Sequence, residues 1–426
     1  MRAFGILAAQ GAGALAGEAF TWPNQPPSDI PFERSELFTE VHFTGRYAEY
    51  GGADTWYPSW GADGNLYTPW TDGVVGGIRS HSACSGPSCT STTGFAKVVG
   101  DDPFNLSIQD VGVFESSTSP YHGRYPSASL HHNGIWYYGT YALDNENHEP
   151  GERSGQEVGR SHTADYCGNW CIQGPFVGFR WSRDAGKTWQ EPRKTLANYS
   201  DTLFGEAAPN NHSKVKFGAP HVVDLGQNLA HEPYGGAKPR LYMVGHGASA
   251  PISPTSWMQG AEVYLARVSP SVDSINDLAS WEFYGNGSWH PGDVARAAPL
   301  VSWGNRTGVT TMTYIPAVKR YIMCVSTPTF SPFTTRQFDT YFLESANITG
   351  PFRYISYLRE FGPQAYFVNI PSKFVAASTG SDGSLRLFLS YSANFAYHGQ
   401  PAPAGSGYHW TLQEVELRLG TAQINI

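Results

Sequence analysis

Apolar and aromatic positions fall in short runs of alternating character, broken by Gly, Asn, Asp and Pro. Gly134-Ile-Trp-Tyr-Tyr-Gly139, Arg240-Leu-Tyr-Met-Val-Gly245 and Leu385-Arg-Leu-Phe-Leu-Ser390 each read as a strand entered from a turn. Gly64-Asn-Leu-Tyr-Thr-Pro-Trp70 has the same shape, and further strands are predicted over Val309–Ile315 and Arg320–Val325. No helical periodicity longer than two turns stands out, so the fold class is all-β.

The runs belong to a repeat. Before each lies a proline-bearing segment: Asp54-Thr-Trp-Tyr-Pro-Ser-Trp60, Gly123-Arg-Tyr-Pro-Ser-Ala-Ser129, Phe217-Gly-Ala-Pro-His-Val-Val223, Ala297-Ala-Pro-Leu-Val301 and Val368-Asn-Ile-Pro-Ser372. The anchoring prolines Pro58, Pro126, Pro220, Pro299 and Pro371 are 68, 94, 79 and 72 residues apart. A proline is tolerated at the start of a strand, where its missing N–H interrupts no ladder. Repeats of this length predict a β-propeller of four-stranded blades, with five anchors counted. The segment 37–50 is expected to close the ring.

Composition narrows the class. The 426 residues include 47 Gly, 23 Phe, 24 Tyr and 13 Trp, too much glycine and aromatic content for a helical bundle or a disordered chain. A net charge of −8 argues against the basic footprint of a nucleic-acid binder. Arg2, a small-residue apolar run and Ala14-Leu15-Ala16 predict a signal peptide over 1–16, leaving 17–426 as one propeller domain. No run of 18 apolar residues occurs, so no membrane span is expected. Six N-x-S/T sequons, at Asn105, Asn198, Asn211, Asn286, Asn305 and Asn347, point to secretion. Cys84/Cys89 and Cys167/Cys171 read as local disulfides, with Cys324 left over. The rival for these pairs is a zinc site, which would require them to meet in space. No H-x-x-x-H or H-E-x-x-H motif occurs; no metal or cofactor is expected, and the chain is read as a monomer.

Residues just before each proline should line one mouth of the channel: Asp54 and Trp56, His122 and Arg124, Lys216, Arg296, then Gln364, Tyr366 and Asn369. Cations converging in an acidic chain suggest an anionic, plant-type glycan as partner. The alternative is that Arg124 and Arg296 pair with acidic neighbours between blades. Trp56, Tyr57, Trp60, Trp70, Tyr125 and Tyr366 flank the same points, most of them expected as blade core and a few against sugar. His81, beside Arg79 in Gly77-Ile-Arg-Ser-His-Ser-Ala-Cys84, is a candidate general acid or base, as is His221; His132 and His246 hold comparable strand positions. Any of these can equally be a hydrogen-bonded polar residue between blades. A glycosidase would need two carboxylates, with Asp54, Asp72, Glu206, Asp224 and Glu262 available and Asp54 the best placed.

Ser182-Arg-Asp-Ala-Gly-Lys-Thr-Trp189 is an Asp box, S-x-D-x-G-x-T-W, a structural hairpin turn of sialidase-like propellers. With the repeat and the secretory features, the chain resembles the sialidase-like carbohydrate-active propellers from about Glu36 onward. Within them it looks most like the secreted fungal L-rhamnose-α-1,4-D-glucuronate lyases. It departs from true sialidases in lacking an R-I-P motif and in having one clear Asp box. The lyase resemblance implies seven blades and β-elimination. In that reaction an Arg (Arg124 or Arg296) neutralises the uronate carboxylate, while His81 and His221 serve as base and acid as terminal rhamnose departs. Two other readings stand beside it: an exo-acting glycoside hydrolase using Asp54 and a second carboxylate, and a lectin-like binding propeller.

Overall fold

The computed structural model describes residues 15–82, 90–116, 123–143, 172–192, 201–206, 214–233, 239–249, 256–329, 337–395 and 402–420. These residues form five antiparallel sheets and only short 3-10 turns besides. Blade 1 contains Gly52–Asp54, Leu66–Val75, Thr92–Val99 and Ser107–Glu115, with the short strands Ser59–Trp60 and Ile78–Ser80 against Leu66–Val75. Blade 2 contains Tyr125–His132, Ile135–Leu143 and Ile172–Ser182. Blade 3 runs from His221–Val222 through Leu241–Gly247 and Gly260–Val268 to the hairpin Glu282–Gly285/Ser288–Pro291. Blade 4 contains Val309–Ile315, Arg320–Pro328, Phe338–Ser345 and Arg353–Leu358. Blade 5 contains Tyr366–Asn369, Ser384–Ser392 and Trp410–Leu419.

Two features turn five sheets into a ring. Phe38–Tyr50, near the start of the chain, pairs with Trp410–Leu419 and adds the outer strand of blade 5, as expected for the segment 37–50. The innermost strands also bond to one another in succession. His131 N–H donates to Ser59 Oγ (2.8 Å) and Ser127 Oγ to the Pro220 carbonyl. Asp224 N–H donates to the Met312 carbonyl (2.8 Å), and the Thr311 and Thr313 hydroxyls donate to the Val368 and Ile370 carbonyls (both 2.7 Å). Asn369 Nδ2 then reaches the Trp56 carbonyl at 3.1 Å and returns the circuit to blade 1.

Between blades the faces are aromatic. Trp189, the last residue of the Asp box, packs 5.1 Å from both Phe114 and Trp136, filling the space between blades 1 and 2. Its turn is held locally: Ser182 Oγ accepts from Gly186 N–H (2.8 Å), and Asp184 accepts from the N–H and hydroxyl of Thr188 (2.8 and 2.7 Å). At the closing seam Trp56 stacks on Trp410 at 5.2 Å.

The repeat is less regular than its sequence suggests. Seven blades are not found: the described residues make five. Among the described residues the sheets hold three to six strands, because short extra strands pair along blades 1, 3 and 5; of the five, blade 4 is the plain four-stranded sheet. Four of the five proline anchors sit at an innermost strand. The exception is Pro299, which leads into Val301–Thr307, an edge strand paired with Gly260–Val263 in blade 3. Blade 4 instead starts at Val309, beyond Gly308, where a Cβ would come 2.2 Å from the Ser326 carbonyl. The expected disulfide cysteines lie outside the described residues, while Cys324 is buried and free. Of the expected signal peptide, Leu15–Ala16 is described, as an edge pairing with Arg46–Tyr47.

Because the ring depends on its seam, Trp410→Ala should lower stability by about 3–5 kcal/mol, the usual range for deleting a buried tryptophan. Urea unfolding should show a lowered midpoint. Val74→Ala, at an exposed position, should change stability by less than about 0.5 kcal/mol.

Candidate active site

Bulky residues from all five blades meet in one place. Tyr57 of blade 1, Tyr125 and Tyr141 of blade 2, Trp257 of blade 3, Phe338 of blade 4, and Tyr366 and Phe367 of blade 5 form one buried cluster. Within this aromatic wall lie two carboxyl groups. Asp54 ends the short strand Gly52–Asp54 with its Cα opposite Thr71, so the antiparallel register brings Asp72 beside it.

Asp54 is buried and lies among hydroxyls. It accepts from Thr55 Oγ1 (2.7 Å) and from the Tyr366 hydroxyl (2.7 Å). The Tyr408 hydroxyl reaches both Asp54 Oδ2 (3.1 Å) and the backbone carbonyl of Asp72 (2.6 Å). One O–H proton serves only one acceptor at a time; directed at the carbonyl, it leaves the phenol oxygen able to accept a proton kept on Asp54. Asp72 has part of its surface open to solvent, and its Oδ1 accepts from Ser82 N–H at 2.9 Å.

Burial first, and then the negative charge of Asp72, push the Asp54 carboxyl up to about 8. The hydroxyl hydrogen bonds oppose this shift without cancelling it. Burial raises Asp72 to about 6, against the Ser82 and Thr71 hydrogen bonds. Two coupled carboxyls titrate together, and deeper burial beside the charge of Asp72 favours the proton on Asp54.

The backbone here is strained as well. Thr55 (φ 63°), Asp72 (φ 51°) and Phe367 (φ 56°) are all left-handed, and Thr55 is β-branched, for which that conformation is costly. Left-handed residues of this kind concentrate where a fold holds side chains in a required geometry. His221 is buried 4.0 Å from Tyr57, ring centre to ring centre. Burial, with His246 adding to it, drives its pKa well below the ordinary imidazole value, so it stays neutral. Among the described residues, neither ring nitrogen of His221 nor the Tyr57 hydroxyl has a hydrogen-bond partner.

The residues expected at the mouth are only partly brought together. Asp54 and Tyr366 meet there, and Tyr366 serves by holding Asp54. Trp56 is instead buried in the seam, its Nε1 donating to the Ala53 carbonyl at 2.9 Å. Arg124 is buried and ion-paired with Glu191 (2.5 Å), which also binds Arg180 (2.9 Å), so its charge is met between strands. Lys216 gives its ammonium to the carbonyls of Ala295 and Ala297 (2.6 and 2.7 Å). Arg296 is exposed on a short turn beside the outer hairpin of blade 3. His81 and Arg79 are exposed at the end of the blade 1 hairpin, with His81 adjoining the Ser82 that holds Asp72. His122 lies outside the described residues.

The remaining carboxylate candidates have structural partners. Glu206 accepts the N–H groups of Lys216 and Phe217 (2.8 and 3.0 Å), and burial raises it to about 7. Asp224 ties blade 3 to Ser372 of blade 5 through that residue's N–H and hydroxyl (2.8 and 2.6 Å). Glu262 accepts from Ser249 and Tyr264. His246 bonds the Ser256 carbonyl at 2.7 Å, and His132 Nε2 bonds Asn133 at 2.9 Å. Thr55 and Tyr408 had no signal as single residues. Among the described residues no group of three or more His, Cys, Asp or Glu is placed to hold a metal ion, and no helix is long and apolar enough to cross a membrane.

No known family profile matches the chain, and no curated protein matches it. Solved structures with a similar course include a glycosyl hydrolase from Bacteroides ovatus: 12% identity over 93% of this chain and 94% of that one, TM-score 0.42. The α-L-arabinofuranosidase of Podospora anserina shares 9% over 94% and 96%, TM-score 0.38. A GH43_1 enzyme from Xanthomonas citri shares 11% over 88% and 89%, TM-score 0.40. Likenesses this distant assign neither activity nor substrate to this chain. Its five-bladed ring rests on its own strand pairing.

An acid whose pKa rises on folding binds more protons in the folded state, so it costs stability as pH climbs from its unfolded value, about 4, through its folded one. For Asp54 that window runs up to about 8. Asp54→Asn should therefore raise the melting temperature by about 2–5 °C at alkaline pH. The gain should shrink toward acid pH. Thermal scans of both proteins across pH check this; an equal offset at all pH values would contradict it.

Proposed function

We propose that the chain is a secreted carbohydrate-active enzyme that hydrolyses a terminal glycosidic bond at the Asp54–Asp72 pair. The observation that carries the reading is a buried carboxyl, Asp54, held by the Thr55, Tyr366 and Tyr408 hydroxyls beside a second carboxyl, Asp72, next to a cluster of aromatic rings. Glycoside hydrolysis needs one protonated and one ionised carboxyl across the scissile bond, and environments that separate two pKa values assign those roles. Asp54, the more buried and more strongly raised, donates a proton to the departing oxygen. Asp72, ionised and open to solvent, acts on the other face of the sugar, directly or through a water. The Thr55, Tyr366 and Tyr408 hydroxyls fix the acid.

Hydrolysis replaces β-elimination as the preferred chemistry. Elimination from a glucuronate needs the substrate carboxylate neutralised, and Arg124 and Lys216, two of the cations expected to do this, are committed within the protein. His221, neutral and without a hydrogen-bond partner among the described residues, is the feature that keeps elimination as the second reading. Secretion is supported by the exposure of all four described sequon asparagines, Asn105, Asn286, Asn305 and Asn347.

Purified protein should release reducing sugar from a panel of aryl glycosides and plant glycans, gum arabic included, without the ultraviolet absorbance of an unsaturated uronate. Asp54→Asn and Asp72→Asn should each lower kcat/KM by about 10²–10⁴-fold. Growth of the unsaturated-uronate band, lost in His221→Ala, would establish elimination instead. Binding without turnover would establish a lectin. The pH profile of kcat/KM should be bell-shaped. It should fall below about 6 as Asp72 takes a proton and above about 8 as Asp54 loses one.

A further inference from the structure

A groove of about 500 Å³ lies between blades 3 and 4. Tyr314, near the end of an innermost strand, and Tyr321, near the start of the next, form one wall, their ring centres 4.8 Å apart. His231 and Glu232 enter from the loop of blade 3, with the His231 ring 5.9 Å from Tyr314. Phenol faces beside an imidazole and a carboxylate are the surroundings a sugar needs: flat C–H contact on one side and hydrogen-bonding groups on the other.

The groove's own rim supplies an occupant. Residues 346–349, the outer turn of blade 4, line it and contain the sequon Asn347-Ile348-Thr349. Asn347 is exposed, while Ile348 is buried and pins the turn. The Asn347 N–H donates to Ser345 Oγ (3.1 Å) and its carbonyl accepts from Gly350 N–H (3.0 Å), which fixes the backbone at the attachment point. We propose that Asn347 carries an N-linked glycan whose core N-acetylglucosamine residues lie in this groove against Tyr314. The modification uses the secretory reading above but not the hydrolase reading. Asn105, Asn286 and Asn305 are exposed too, and none of them lines the groove.

The test is full-length protein secreted from a eukaryotic host, with glycopeptide mass spectrometry for occupancy. Native-state glycosidase release is then followed at each site by the Asn-to-Asp mass change. Asn347 should be occupied and should release its glycan on the order of tenfold more slowly than Asn286. Tyr314→Ala should keep Asn347 occupied and bring its release rate up to that of Asn286. An unmodified Asn347 in secreted protein whose Asn105 or Asn286 is occupied would overturn the proposal. Equal release rates, or a slow rate unchanged by Tyr314→Ala, would overturn the seating of the glycan. Failure of the chain to enter the secretory pathway would overturn the secretory reading on which both rest, a result distinct from either.

Discussion

The pairing of Phe38–Tyr50 with Trp410–Leu419 is the constraint on which the rest depends, because it joins the two ends of the chain in one sheet. Without it five sheets would form an open arc with two exposed edges, the arrangement that propellers avoid by closing. Closure fixes the seam between blades 5 and 1, and the seam is where the candidate site lies. Asp54 and Asp72 belong to blade 1, while Tyr366 and Tyr408, which bond Asp54, come from blade 5 and the segment before its third strand. The Trp56–Trp410 stack and the Asn369–Trp56 hydrogen bond clamp the same boundary. A displacement of one blade against the other would separate the acid from the hydroxyls that orient it.

That rigidity is what lets the seam hold an unfavourable arrangement. Two carboxyls in one aromatic-lined pocket oppose folding at neutral pH, and left-handed Thr55 adds backbone strain. The surrounding blade packing offsets both. Had stability been the main requirement at these positions, an asparagine or a hydrophobic side chain would serve better than Asp54. A site that costs stability, at the seam between blades 5 and 1, has the physical character of a reaction centre.

Much of the architecture was legible from residue pattern, and the site was legible in part. Alternating strands, proline-led units and the closing strand survive in the structure because they express local rules: side-chain period two, proline at strand starts, aromatics between sheets. The fourth anchor misled because Pro299 starts an edge strand, and the starting position of a strand does not reveal which sheet it joins. Asp54 stood out by its place just before the first proline anchor, among the residues expected at the mouth. Its pairing with Asp72 depends on the register Asp54 opposite Thr71, and its bonds to Tyr408 on a contact across 354 residues of sequence, neither of which periodicity encodes. The cationic mouth did not form because charge counts do not show commitments: Arg124 belongs to Glu191 and Lys216 to two carbonyls.

The central claim is that Asp54 keeps its proton at neutral pH because it is buried beside Asp72. The direct measurement is a carboxyl ¹³C titration of selectively labelled protein, with the two resonances assigned from the Asn variants at each position. Asp54 should remain protonated through neutrality and titrate near about 8, after Asp72, and replacing Asp72 by Asn should move Asp54 downward. An Asp54 that is ionised at neutral pH, with an ordinary value of about 4 unaffected by Asp72→Asn, would contradict the account.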